Sequence, residues 1–302
     1  MKVYISIPTY NGGEVWRQAS LEIKKNTDPN TFVQIIDSGS QDNTVKYAAD
    51  MGFAVHEIDS TTFNHGGTRN LSVRMHEKEF DIVVFLTQDA IPESDFLKNI
   101  INVFNDPLIV CAFGRQLPHS DASPLAQHAR LFNYSPDSYI ASLEDVERMG
   151  LKTVFASNSF SAYRVEKFIE LGAFPEHTIL SEDMYFAATA IKNGYKVAYV
   201  SNAIVKHSHN YTFIDEFKRY FDIGVFHADE PWIRNEFGGA GGEGIRFVIS
   251  EFKFLFNQSI LSIPKSLVNN ISKILGYKLG QHYKKLPVEI VKKISMHHRY
   301  WK

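Results

Sequence analysis

The chain has 302 residues, of which 44% are apolar, 13% aromatic and 22% charged. That length suits one large domain or a domain with an appendage, and the average composition with a single cysteine, Cys111, excludes disordered, collagen-like and disulfide-scaffold classes. A net charge of −2 hides an asymmetry: from residue 252 onward ten Lys/Arg face one acid, Glu289, a balance of +9, while the preceding residues hold 22 bases against 33 acids, or −11.

The amino terminus, MKVYISIPTYNGG, builds neither a signal peptide nor a spanning helix, so a cytoplasmic protein is expected. Residues 3–7 (VYISI) form an apolar run that ends in Pro8 and the turn residues 11–13 (NGG). A helical stretch over 14–26 follows, then a strand-like run over 32–36 stopped by 37–40 (DSGS). Residues 42–51 read as helix, closed by Gly52 before a short strand at 54–58. Gly66 and Gly67 precede a further helix to about residue 79, and 82–86 (IVVFL) is a fully apolar strand. Strands and helices alternating in this way make βαβ units and a mainly parallel sheet. Ligands bind such sheets beyond the carboxyl ends of the strands. The polar clusters 9–11 (TYN), 37–39 (DSG) and 87–89 (TQD) fall at those ends. Neither a P-loop nor a dinucleotide-binding glycine fingerprint follows any strand, which favours a sugar-nucleotide site built on scattered acids and a metal. The glycine-rich run 238–244 (GGAGGEG) reads as a hinge.

Five segments, in order, resemble the family 2 glycosyltransferases of GT-A fold: IPTYN at 7–11, IIDSGSQDNT at 35–44, TQDA at 87–90, SED at 181–183 and VKHSH at 205–209. FNHGGTRN at 63–70 and the tail from Gly276 are similar to the bacterial rhamnosyltransferase branch. The resemblance implies a Rossmann-like GT-A domain over 1–225, with a hinge and a basic amphipathic helical region over 226–302. It implies an inverting, metal-dependent transfer of L-rhamnose from dTDP-β-L-rhamnose to a lipid-linked glycan acceptor of surface polysaccharide. A UDP-sugar donor, and a non-catalytic sugar-nucleotide-binding scaffold, are the competing readings.

The resemblance also assigns roles. Asp183 is the base that takes the acceptor proton, with Glu182 beside it at the start of a helix that Ser181 N-caps. Pro8, Thr9, Tyr10 and Asn11 frame base and ribose, and Asp37 accepts from the pyrimidine ring N–H. His65 and Arg69 reach the sugar or diphosphate, Arg69 through its fixed fork of donors, and the neighbouring glycines let backbone approach the ligand. In 87–89 Thr87 stands where the family has a first acid, so Asp89, next to Gln88, and His207 are the implied ligands of Mg²⁺ or Mn²⁺. His207 and His209, two apart, would share one side of a strand. Asn158, Ser159 and Trp232 are expected on the acceptor side.

From 252 onward, apolar residues at helical spacing (Leu267, Val268, Ile271, Ile274, Leu275) interleave with Lys265, Lys273, Lys278, Lys284 and Lys285. These amphipathic stretches suit an anionic membrane surface, and the protein is expected peripherally on the inner face of the cell membrane. No nucleic-acid-binding motif accompanies the basic tail, and the acidic body would repel a phosphate backbone. A homo-oligomer stays open.

Overall fold

The computed structural model describes residues 1–239 and 242–301. The first half runs β1 (Val3–Thr9), α1 (Gly13–Lys25), β2 (Phe32–Asp37), α2 (Thr44–Asp50), β3 (Ala54–Glu57), α3 (His65–His76), β4 (Ile82–Leu86), β5 (Ile91–Pro92), α4 (Phe96–Ile101) and β6 (Ile109–Leu117). There follow α5 (Pro124–Asn133), β7 (Tyr139–Ala141), α6 (Val146–Met149), β8 (Phe160–Arg164), α7 (Val165–Glu170), α8 (Glu182–Lys192) and β9 (Lys196–Lys206). The chain then turns all-helical: α9 (Phe213–Asp229), α10 (Pro231–Phe237), α11 (Glu243–Gln258), α12 (Ile263–Gln281) and α13 (Val288–Ile294).

The strands make one sheet in the order β3-β2-β1-β4-β8-β6-β9-β5, with β7 also on β9. β1 pairs parallel with β2 and β4, and β2 with β3, as the βαβ spacing requires. β8 enters antiparallel between β4 and β6 and makes the sheet mixed. Alternation along the strands divides the core between the two faces. Tyr4, Val83 and Phe85 pack on one side with Phe168, Phe174 and Phe186; Ile5, Ile82, Val84 and Leu86 pack on the other with Trp16 and Phe96. β4 is apolar throughout because both of its faces are covered.

Register puts the site together. Thr9 lies opposite Asp37 at the carboxyl edge, and the Ser38 N–H donates to the Thr9 carbonyl. Gly66 and Gly67 lie inside α3, not before it: the Asn64 side chain caps the helix by accepting from the Gly67 N–H at 2.8 Å. The close approach that Gly66 permits is to the Pro175 carbonyl, where a Cβ would collide, so its need for glycine comes from packing and not from a ligand.

α12 crosses α9 at backbone contact. A Cβ on Gly276 or Gly280 would strike the carbonyl oxygens of Phe217 and Phe221. That contact turns one face of α12 inward, and the inward face is polar: Ser266, Asn269 and Asn270 are buried with the two glycines. Leu267, Val268, Ile271, Ile274 and Leu275 face outward, each about half exposed, and Leu261 before them is 92% exposed. Lys273, expected on the basic outer face, points inward and pairs with Glu216 at 3.3 Å. A boundary between residues 225 and 226 falls within α9, where Gly224 before it and His227 after it both meet Tyr277 of α12. Of the expected hinge, residues 240 and 241 lie outside the described residues; α10 ends before it at Phe237 and α11 begins at Glu243. Among the described residues no helix is long and apolar enough to cross a membrane.

Candidate active site

A cavity of about 690 Å³ opens at the carboxyl edge of the sheet. Pro8, Thr9, Tyr10, Gln88 and Asp89 line one end, the start of α8 forms its floor, and α5, α9, α11 and α12 wall the other.

The floor is an ion network. Arg69, on α3 and 4% exposed, donates from Nη1 to Glu182 Oε1 at 3.0 Å and to the His65 carbonyl at 2.9 Å. Its ion-pair partner is a buried carboxylate, while Nε and Nη2 make no hydrogen bond and the side chain lines the cavity. Asn158 donates from Nδ2 to the same Glu182 oxygen at 2.9 Å, while its Oδ1 accepts from Ser161 and Tyr163. Asn158 is therefore committed to holding carboxylates, whereas Ser159 beside it lines the cavity without a side-chain partner. Asp183 Oδ2 accepts from the Asn158 backbone N–H at 2.9 Å and Oδ1 from the Met184 N–H at 2.8 Å. Burial first, then the charge of Glu182, pushes the Asp183 carboxyl up to about 7, against the pull of those two donors. Glu182 itself stays ionised: burial opposes its charge, but Arg69, His65 and Asn158 outweigh it. Two adjacent carboxylates that both line the cavity thus titrate far apart, with Asp183 changing charge near neutral pH. Ser181 sits at the N-cap position but does not cap with its side chain; it adopts φ +61°, in the left-handed region, and this turn aims the two acids.

The second cluster is Asp89, His207 and His209, with one ligand atom of each within 4.8 Å of the others. Asp89 Oδ2 lies 3.4 Å from His207 Nε2 and 3.6 Å from His209 Nε2. The histidines sit just past the end of β9, not on it, and converge nonetheless. The tautomer of His207 follows from its other partner. Arg130 can only donate, so the Gln116 atom it meets at 2.8 Å is the carbonyl Oε1, and Gln116 Nε2 donates to Ser157. His207 Nδ1, at 2.8 Å from that same Oε1, must then carry the proton, which leaves the Nε2 lone pair facing Asp89. Burial lowers the pKa of His207, and burial with His207 lowers His209 to about 4, so both imidazoles are neutral ligands. One carboxylate and two neutral imidazoles facing open space fit a divalent cation.

Other expected residues move. Asp37 is fully buried and does not line the cavity; its oxygens accept from Thr9, Ser40 and two backbone N–H groups, so none is left for a base. Asn11 braces the neighbouring loop, accepting from the Gln41 N–H, and also stands off the cavity. Gln88 pairs with the Tyr10 backbone through both ends of its amide, locking the loop after β1 to that after β4. Trp232 lies outside the cavity: its indole N–H donates to Glu230 and its ring meets Tyr185 edge-on. His65 does line it, with its Nε2 3.4 Å from Nδ1 of His297, a residue brought from the carboxyl terminus. Asp222 holds that segment by accepting from the Met296 and His297 N–H groups, and Arg299 lies over the Tyr10 ring. Gln116, Arg130, His209 and His297 join the site without being expected as ligands; only His209, paired in sequence with His207, carries a readable signal.

The glycosyl transferase family 2 profile matches residues 4–172. The whole chain is 54% identical to the O-antigen chain rhamnosyltransferase RfbN of Salmonella typhimurium, over 96% of that protein. It is 50% identical to WbaN of Salmonella anatum, of the same description, over 98% of this chain and 94% of that one. Among solved structures, the mannosyltransferase PcManGT of Pyrobaculum calidifontis, with GDP-Man and Mn²⁺, superposes with a TM-score of 0.64 at 15% identity, covering 94% of this chain and 88% of that chain. S. aureus TarS with UDP-GlcNAc gives 0.55 at 13% identity, over 94% and 92%. The sheet and its flanking helices are thus the GT-A fold, and the chain belongs to glycosyl transferase family 2: it is a glycosyltransferase.

Proposed function

We propose that the protein is an inverting rhamnosyltransferase that moves L-rhamnose from dTDP-β-L-rhamnose to a hydroxyl of a lipid-linked glycan in O-antigen synthesis. The observation that carries this reading is Asp183, a carboxylate tuned to about 7, sharing one cavity with the Asp89–His207–His209 cluster. The extent of identity to two O-antigen chain rhamnosyltransferases supports rhamnose as the sugar.

Asp183 takes the proton from the acceptor hydroxyl as that oxygen bonds to the anomeric carbon. The bond from that carbon to the diphosphate oxygen breaks, and the nucleoside diphosphate leaves with the electron pair. A single displacement inverts the centre to an α linkage and needs no covalent enzyme intermediate. Glu182, pinned by Arg69 and Asn158, keeps the Asp183 carboxyl basic and fixed. Asp89, His207 and His209 would hold the divalent ion, which when bound supplies positive charge to the departing diphosphate. Two imidazoles beside one carboxylate favour Mn²⁺ over the oxygen-seeking Mg²⁺. Tyr10, partly exposed at the cavity rim, offers a ring face to the base.

The outward apolar face of α12, the exposed Ile245, Ile249 and Phe256 of α11, and the +9 balance of the tail support peripheral binding to an anionic inner membrane surface, where a lipid-linked acceptor resides.

Release of nucleoside diphosphate from a panel of sugar nucleotides tests the donor. Hydrolysis of dTDP-rhamnose alone, abolished by EDTA and by Asp89→Ala, is expected. Turnover of a UDP-sugar instead would overturn the rhamnose assignment.

A further inference from the structure

The cavity continues past the catalytic cluster into an arm between α9, α11 and α12, and no step of the proposed chemistry uses its residues. The arm carries unmet hydrogen-bonding capacity. Asn269 of α12 is 3% exposed, lines the cavity, and its Oδ1 has no partner. Glu251 of α11, 1% exposed, engages Ser266 and Asn270 through Oε2; its Oε1 lies 3.9 Å from His128 Nδ1, beyond hydrogen-bonding distance. An unpaired buried amide costs free energy that a fold without use for it would remove by substituting a hydrocarbon.

Charge narrows what the arm can take. Its acidic and basic side chains are Glu216, Glu251 and Lys273, a formal balance of −1, with Lys273 paired to Glu216. Burial lowers the pKa of His227, which lines the arm, to about 4, and lowers that of His128 beside Glu251, so neither adds charge at neutral pH. The free positive charge stands at the catalytic end, where Arg130 donates to Gln116 and Arg219 lies over the Tyr211 ring. A phosphate would therefore be repelled from the arm, whereas hydroxyls are suited to it: a carboxylate oxygen accepts and an amide both donates and accepts. The rings of Tyr220 and Phe247 also line the arm; the Lys273 ammonium lies over one face of each, and a sugar's C–H groups would meet what the rings leave uncovered.

We propose that this arm is a subsite for a neutral pyranose of the acceptor glycan, read by Asn269 and Glu251 against the Phe247 and Tyr220 rings. The proposal rests on the glycosyltransferase reading above and adds where the acceptor sits and what chemical class it has. It also gives the inverted α12 a purpose, because its polar face must be inside to line the subsite.

The test is saturation-transfer NMR on the full chain. Methyl glycosides of galactose, mannose, glucose and rhamnose serve as neutral probes, with glucose 6-phosphate and methyl glucuronide as charged comparators. At least one neutral glycoside should be saturated and the comparators not. In Asn269→Leu the signal should weaken by about five- to tenfold, the loss of one or two hydrogen bonds. Because leucine replaces an unpaired amide, the melting temperature should hold or rise; Asn269→Ala provides a second variant should leucine prove too large. No saturation by any neutral glycoside, equal saturation by the charged comparators, or an unchanged signal in both variants would overturn the subsite. Donor hydrolysis measured on the same samples separates the two readings: hydrolysis without glycoside binding removes the subsite alone, and glycoside binding without hydrolysis removes the enzymatic reading.

Discussion

The sheet domain and the C-terminal helices bury opposite kinds of residue. In the sheet, Ile5, Val84, Phe85 and Leu86 are fully buried, and buried Asp37 has every oxygen occupied. In α12 the order is reversed: asparagines, a serine and a lysine point in, and leucine, valine and isoleucine point out. The first arrangement is stable in water on its own terms. The second holds its polar groups inside by pairing most of them with one another, Ser266 and Asn270 with Glu251 and Lys273 with Glu216, and leaves an apolar face exposed. The contrast teaches that the two regions are built on opposite rules of burial, which is what the proposed donor site in the sheet and the proposed acceptor and membrane roles of the helices would each require.

The comparison predicts that damage to one region should spare the function of the other. The largest effect should come from Asp183→Asn, which removes the base: turnover should fall by about 10²–10⁴-fold with donor affinity by calorimetry, and binding to anionic vesicles, both unchanged. Surviving turnover would remove Asp183 from its role. Gln116→Leu should weaken Mn²⁺ binding by about 10–100-fold, because His207 loses the acceptor that fixes its tautomer; electron paramagnetic resonance titration of free Mn²⁺ measures it. The rate should depend on pH through Asp183, whose carboxyl titrates at about 7. Below that value kcat/KM should fall by about tenfold per pH unit as the base takes up a proton, and above it the profile should level. A flat profile between pH 5.5 and 8.5 would assign the proton to another group.

Two tests address the helices. Gly280→Ala forces a methyl group into the Phe221 carbonyl and should cost about 1–3 kcal/mol, read as a lower urea midpoint. On the outer face, Leu261→Ser with Ile271→Ser should change stability by no more than about 0.5 kcal/mol and leave donor hydrolysis intact, yet release the protein from anionic vesicles in a flotation assay. If the double variant instead unfolds, the outer face packs against protein and the membrane reading is wrong.

Much of the site is legible in the sequence because local chemistry marks it. Strand ends are bounded by turn residues, so the spacing alone places Thr9, Tyr10 and Asp89 on one edge of the sheet. The SED segment announces a helix start, and Asp183 does face the cavity there. Partners are less legible, because hydrogen bonds join residues far apart in the chain. Arg69 meets Glu182 across 113 positions and His65 meets His297 across 232, and nothing local to any of them encodes the meeting. Asp37 has the composition of a ligand-binding acid and the geometry of a loop brace; only the count of its donors decides between them.

The sequence by itself determined the alternation of strands and helices, the parallel first half of the sheet, the motif residues and the amphipathic periodicity of α12, since each depends on spacing or on near neighbours. Tertiary structure alone decided which face of α12 turns inward. A 3.6-residue period gives a helix two faces but no direction relative to the rest of the molecule. That direction is set by Gly276 and Gly280 lying against α9, where backbone contact admits no side chain.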